Sequence, residues 1–259
     1  MSRMMTNWTN KAIESEIEYT LARGSVTVEH NNFTLLENMF VKWSGDFNRV
    51  VKIKAHNIDS LLNTISEIEE LFISKGIECP VYLDLDESFV PGKDYSEKLE
   101  DRGYSLRKEP FLFSETTNTH LPDDYKLVKM TDEESLSLLK EEQVNNGYYS
   151  ESEFENTDKK LHIMFIDKFG HYKLVKNDEK IGTVYIALID DYCRLFSVVI
   201  NEKVRNCGHG KALIECIKEF GSRSGKSYIL LNSPERNFGF YEKCGFNICA
   251  YIHRLWRKK

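Results

Sequence analysis

No stretch of this chain is apolar for the roughly 20 residues that a bilayer span requires, and Met1–Asn10 is polar where an export signal carries its hydrophobic segment. No membrane partner is expected, and the cytoplasm is the simplest address. Paired cysteines are missing too. The six present (Cys79, Cys193, Cys207, Cys216, Cys244 and Cys249) form no C-x-x-C motif, which argues against a zinc site or a disulfide framework, so no metal is expected. A basic surplus is also absent. The net charge of -6 disfavours nucleic acid as the main partner, and the local basic run Arg254 to Lys259 reads as a solvated end.

The composition, 41% hydrophobic and 29% charged, is that of an ordinary globular protein, and 259 residues suit two domains. The first half reads as a helix near Asn10–Ala22, strands at Val26–His30, Phe33–Leu36 and Arg49–Ala55, and a long amphipathic helix. That helix carries Ile58, Leu61, Leu62, Ile65, Ile68, Leu71 and Phe72 at three- and four-residue spacing and closes near Gly76. A strand at Val81–Leu85, a helix over Tyr95–Arg102 capped by Gly103, and a strand from Tyr104 to Phe113 follow. Ser114–Asp124 is polar and aperiodic and predicts the link between domains 1–116 and 117–259. Beyond it come a strand at Tyr125–Met130, a helix opened by the capping box Thr131-Asp132-Glu133-Glu134, and a polar stretch Asn145–Asp158 with Tyr148 and Tyr149. A helix at Leu161–Phe169 then leads to a hairpin of His171–Lys176 with Ile181–Ile189.

The most informative stretch is Val198 to Ala212. Tyr192–Ile200 is rich in β-branched and aromatic residues, whereas Ala212, Leu213, Cys216, Ile217 and Phe220 recur at helical spacing, so an extended segment becomes a helix across residues 201–209. Gly208 and Gly210 stand at that change. Glycines there admit unusual backbone conformations and let N–H groups approach an anion at the positive end of a helix. Two glycines also simply make a tight turn. Neither the Lys-Ser/Thr ending of a P-loop nor G-x-G-x-x-G is present.

The loop spells Arg205-x-x-Gly208-x-Gly210, and downstream stands Phe240-Tyr241-Glu242-Lys243-Cys244-Gly245-Phe246. On these two signatures, in this order, the C-terminal half resembles the GNAT superfamily of acyl-coenzyme A-dependent N-acyltransferases. The resemblance implies an α/β fold: a mixed, mostly antiparallel sheet with a parallel central strand pair and flanking helices. It implies acetyl-CoA as cofactor, with its pantetheine arm along the main chain of Val198, Val199 and Ile200. The amides of Arg205, Asn206, Cys207, Gly208, His209, Gly210 and Lys211 would hold the diphosphate, and Tyr241 would protonate the leaving thiolate. Where the family often has an asparagine seven residues before that tyrosine, Pro234 stands here, flanked by Asn232 and Asn237; Asn237 is the substitute proposed for that contact.

The implied chemistry sets its own demands. An amine of pKa about 10.4 is free base in about one molecule per thousand near neutrality, and attack on a thioester builds charge on its oxygen and expels a thiolate. Positioning the reactants supplies on the order of 7 to 11 kcal/mol. No carboxylate lies on the central strand. Asp190, Asp191, Glu151, Glu153, His162 and His171 are base candidates by residue type only. Cys207 ranks as a spectator because no thiol is needed.

The first half repeats the order strand, helix, strand, helix, strand, with Tyr82–Asp86 laid on Tyr228–Asn232 and Leu99–Tyr104 on Tyr241–Phe246. Ala55-His56-Asn57-Ile58 stands in place of the glycine loop. The expected organisation is two GNAT-like domains, the first degenerate; an unrelated α/β domain of similar rhythm is the other reading. The expected activity is acetyl transfer to a primary amine of a small molecule or protein. A non-catalytic acyl-CoA sensor and a longer acyl donor are the alternatives, and the oligomeric state stays open.

Overall fold

The computed structural model describes residues 2–21, 23–38, 48–76, 82–86, 88–92, 94–118, 124–145, 147, 150–156, 159–160, 162 and 169–257. The expected features at Tyr148, Tyr149 and most of the Leu161–Phe169 helix lie outside the described residues. The fold is mixed α/β, with parallel and antiparallel strands and flanking helices. No described helix is long and apolar enough to cross a membrane.

Two compact units divide the chain: Met1–Pro110 with Cys249–Lys259, and Phe111–Ile248. Sequence patterning suggested a single cut at 116/117. The compact units instead each take back part of a strand, and Ser114 and Glu115, placed in the linker by composition, are strand residues.

The first unit contains α1 (Ser2–Leu21), β1 (Ser25–Glu29), β2 (Thr34–Asn38), β3 (Arg49–Ile53), α2 (Ile58–Lys75), β4 (Tyr82–Leu85), α3 (Tyr95–Asp101), the beginning of β5 (Tyr104–Glu115) and most of β11 (Asn247–Arg257). Its strand order is β1-β2-β3-β4-β11-β5, with β3 and β4 parallel. The three- and four-residue spacing on α2 buries Leu61, Ile65, Ile68 and Phe72 against Leu35, Val50, Ile53, Leu83 and Leu85. Each such side chain contributes roughly 1.5–3 kcal/mol. Gly76 ends α2 at φ 64, a left-handed cap that glycine adopts without strain.

On its other face this unit is closed by charge. Arg49 bridges Glu16 (2.9 Å) and Asp84 (2.7 Å), and Arg254 contacts both oxygens of Asp84, then Glu109 at 2.7 Å. Burial works against the Arg254 charge, but Asp84, Glu16 and Glu109 outweigh it and hold the guanidinium well above its ordinary pKa. Arg254, read from sequence as part of a solvated tail, is therefore a buried strand residue, 6% exposed.

The second unit contains the end of β5, β6 (Tyr125–Lys129), α4 (Asp132–Lys140), a π-turn (Glu141–Asn145), α5 (Glu151–Asn156), β7 (Phe169–Lys176), β8 (Glu179–Ile189) and β9 (Tyr192–Ile200). After these come α6 (His209–Arg223), β10 (Tyr228–Asn232), α7 (Phe238–Lys243) and the start of β11. Its order is β5-β10-β9-β8-β7-β6, with β9 and β10 the parallel pair among the described residues of this unit. The Thr131 capping box forms as expected, with Glu134 reaching back to Thr131 N at 2.9 Å. The β7–β8 hairpin turns on Asn177 (φ 49) and Asp178 (φ 66) alone, so β8 starts at Glu179 rather than Ile181. Phe169 opens β7 instead of ending a helix.

Candidate functional site

The site begins where β9 leaves its parallel neighbour. Pairing of β10 with β9 runs from Tyr228↔Tyr192 to Leu231↔Leu195 and stops there. Beyond it, β9 carries one extra residue against β8: Thr183 faces Val199 while Tyr185 faces Phe196, and Ser197 sits at φ 45. Such a bulge bends a strand and raises its twist. Residues 196–200 consequently keep β8 on one side and open away from β10 on the other. Val199 is 40% exposed there.

The turn after β9 is held by its own polar groups. Asn201 N–H donates to Ile181 O at 2.9 Å, and its side-chain amide donates to Lys180 O at 2.6 Å. Arg205 donates from Nε to Ile200 O at 3.0 Å and pairs with Glu202 at 3.2 Å, while its own amide is used by Glu202 O. Arg205 thus braces the turn through its side chain and spends its own amide within it.

Asn206 (φ 64) and Gly208 (φ 83) are both left-handed, and Gly208 is the N-cap of α6 with no side-chain cap. Ala212 N–H is the first to close on the helix, donating to Gly208 O at 3.2 Å, so the amides of His209, Gly210 and Lys211 lie ahead of the first helical bond. The two glycines serve different ends. Gly208 supplies a conformation, whereas a Cβ at Gly210 would meet the Phe240 ring at 3.1 Å. That approach joins the two sequence signatures. Phe240 lies edge-on to Tyr241 (5.0 Å between centroids), and Tyr241 to Phe246 (5.5 Å).

Tyr241 is 7% exposed. Burial, then the Cys244 thiol beside it, pushes its phenol up to about 12, so it is protonated at neutral pH and suited to give a proton rather than take one. Asn237 is exposed at the start of α7, its amide donating to Pro234 O at 2.9 Å. Cys207 is exposed and its thiol donates to Arg205 O at 3.5 Å. Lys211 is solvated, paired loosely with Glu215 at 3.7 Å.

Two residues that sequence reasoning missed stand at the same helix end. Tyr125 Oη is hydrogen-bonded to His209 Nδ1 at 2.7 Å, and Lys176 donates to Tyr125 Oη at 3.2 Å. That hydrogen bond first, and Asp124 next, raise the Lys176 pKa. Tyr125 lies 84 positions from His209, and no local pattern announces the pairing.

The base candidates sort by occupation. Glu153 caps α5 through Ser150, at 2.7 Å, and Asp190 and Asp191 form the β8–β9 turn, Asp191 O accepting from Ser227 N–H at 2.8 Å. His171 is 3% exposed on β7, its pKa pushed down to about 4 by burial and then by His162, whose own pKa burial also lowers.

Residues 167–248 match the family model described as acetyltransferase (GNAT) domain. This segment is similar to that family. The match takes in the GNAT loop, both parallel strands and the Phe240–Phe246 signature. Among solved structures, a conserved protein of unknown function from Staphylococcus epidermidis superposes with TM-score 0.71 at 10% identity, over 91% of this chain and 94% of its own. A GCN5-related N-acetyltransferase from Kribbella flavida gives TM-score 0.62 at 15% identity, over 96% and 95%. A tandem GNAT protein from the clavulanic acid biosynthesis pathway gives 0.53 at 12%, over 89% and 80%. At such identities these likenesses establish the fold. A GNAT fold is an acyl-transfer scaffold, and the loop, the parted strands and Tyr241 lie within its matched segment.

Proposed function

We propose that the chain is an acetyl-CoA-dependent N-acetyltransferase that moves an acetyl group to a primary amine by direct attack, with Tyr241 as general acid. The observation that carries this reading is the N-terminus of α6. It follows the strand that parts from its parallel neighbour, and its cap is a left-handed glycine with no side chain to occupy the amides. Asn206 to Lys211 would face a diphosphate with their N–H groups, and the main chain of Val198 to Ile200 would hold the pantetheine arm, with Asn237, the N-cap of α7, as a further contact. Acetyl-CoA, when bound, supplies an activated acyl thioester. Arg205 keeps the turn in shape by bracing Ile200 O. Tyr241, held protonated by burial, has its proton ready for a departing thiolate. The first unit we infer to be a degenerate GNAT-like copy. Support comes from its matching order of elements, its parallel β3–β4 pair, and the non-glycine Lys52 at φ 55 beside a register shift, the counterpart of Ser197.

The test is a thermal-shift titration with acetyl-CoA and CoA on the intact protein and on Gly210→Glu. Ligand at 100 times Kd is expected to add about 2.7 kcal/mol to the intact protein and nothing to the variant. No shift in the intact protein, or equal shifts in both, overturns the assignment. In Tyr241→Phe, acetyl transfer is expected to fall about 10²–10⁴-fold with the CoA shift retained. Unchanged turnover would remove Tyr241 from the acid role. A CoA shift without turnover on any amine would favour a sensor.

A further inference from the structure

The first turn of α6 runs against the usual preference of a helix. Carboxylates are favoured near a helix N-terminus, and cations are favoured at the other end. Helix α4 follows that preference with Asp132, Glu133 and Glu134 in its first turn, and α2 does so with Asp59. The first turn of α6 holds His209, Gly210 and Lys211 with no acidic residue, behind a cap that has no side chain. A positive helix end lined with donors, and without a carboxylate in its own first turn, is matched by an anion from outside.

His209 brings a side chain to that end. Cα–Cβ bonds in a helix tilt toward its N-terminus, so the imidazole leans to the same side as the open amides. Its Nδ1 lies 2.7 Å from Tyr125 Oη, which accepts from Lys176 Nζ at 3.2 Å. An ammonium only donates, so Lys176 takes one lone pair of the phenol oxygen. Among the described residues the phenol has one other hydrogen-bond neighbour, Nδ1, and its own proton is used when it points there. The bond made by one imidazole nitrogen sets which nitrogen carries the ring proton, and that proton then sits on Nε2. This N–H meets no acceptor among the described residues, and His209 is only half-buried. Lys176 is itself held, by Asp124 at 3.3 Å and by the Tyr125 ring, 4.7 Å from its centroid. Strands β6 and β7 thus supply a relay whose last free donor stands at the N-terminus of α6.

We propose that the His209 side chain is a phosphate ligand of the cofactor site: Lys176 and Tyr125 fix its proton on Nε2, and that N–H donates to a phosphate oxygen of bound CoA beside the amides. This inference rests on the CoA-binding reading above. It adds a side-chain donor, drawn from outside the glycine loop's own main chain, to the contacts that reading assigns. Tyr125 and Lys176 are positioning residues in it, because they act through the imidazole. CoA carries a diphosphate and a 3′-phosphate, and the donor chemistry is the same for both.

The experiment is titration calorimetry with CoA and with 3′-dephospho-CoA on the intact protein, His209→Leu, His209→Gln and Tyr125→Phe. His209→Leu removes a hydrogen bond to a charged group and should weaken CoA binding about 10- to 100-fold. His209→Gln keeps an N–H donor on a side chain of similar reach and should recover part of that affinity, which a role in packing alone would not predict. Tyr125→Phe keeps the ring and deletes the hydroxyl that fixes the imidazole proton, so CoA should bind about 2- to 10-fold more weakly. That conservative variant also carries the test if His209→Leu does not fold. A loss shared by both ligands assigns the contact to the diphosphate, and a loss confined to CoA assigns it to the 3′-phosphate. Unchanged CoA binding in His209→Leu, equal losses in His209→Leu and His209→Gln, or unchanged binding in Tyr125→Phe overturns the inference. In each of those cases CoA binding by the intact protein leaves the cofactor reading standing. No binding of CoA by the intact protein would sink both.

Discussion

Two helices of this chain follow a bulged strand that pairs in parallel, and they begin in opposite ways. At α2, Asn57 accepts from Ser60 N–H at 2.8 Å and Ser60 Oγ accepts from the amides of His56 (3.1 Å) and Asn57 (3.2 Å), so the chain satisfies its own orphan donors. At α6, Gly208 has no side chain and leaves them open. The same positive helix end is self-capped in one unit and offered outward in the other. The opposite faces differ likewise: the first unit fills its own with the ion pairs of Arg49 and Arg254 with Asp84, Glu16 and Glu109, the second with aromatic rings, the imidazoles of His162 and His171, and the Arg194 guanidinium lying over the Phe196 ring. On the proposed reading, a few polar side chains decide whether such a framework binds a cofactor or stays closed.

The largest break in that contrast is Asp84→Ala. Asp84 is 2% exposed and pairs with two arginines at once, so its loss leaves buried positive charge opposed less fully, with Glu16 and Glu109 still beside it. Removing one partner of a buried ion pair costs about 3–5 kcal/mol. Urea denaturation should show that loss in the first unit, while CoA-dependent stabilisation of the second survives at a permissive temperature. A variant as stable as the parent would mean that the network is not what closes this face.

A smaller effect is expected at Gly208→Ala. An L-residue held at φ 83 costs roughly 1–2 kcal/mol, which corresponds to CoA binding about 5- to 30-fold weaker when the free turn relaxes out of that conformation and binding has to restore it. Titration calorimetry would read it, and an unchanged Kd would show that the left-handed cap is not required for the bound state.

The parts of the fold that were legible before the structure are those encoded locally. The α2 stripe, the Thr131 box, the Gly76 cap and the glycine loop each depend on residues within a few positions of one another. What was not legible depends on partners far apart in the chain. Leu231 pairs with Leu112 and Arg254 with Asp84, and these pairings decide which unit owns the ends of β5 and β11. Arg254 looked solvated because the basic residues around it dominate a local window, and only Asp84, 170 positions away, explains its burial. For the site, motifs marked the loop and Tyr241, whereas the bulge at Ser197 and the Tyr125–His209 contact arise from pairing between strands and between elements.

The subtlest test removes the self-capping end. Asn57→Ala deletes the side chain that accepts from Ser60 N–H, and N-cap losses of this kind cost about 0.5–2 kcal/mol. The first unit should lose that stability in urea with no change in CoA affinity. Freeing the amides is expected to create no anion site there, because His56 and Ile58 flank the cap and no glycine opens the approach. A second CoA equivalent bound by Asn57→Ala would contradict this and would show that capping alone separates the two units; stability loss without binding assigns the difference to the glycines as well.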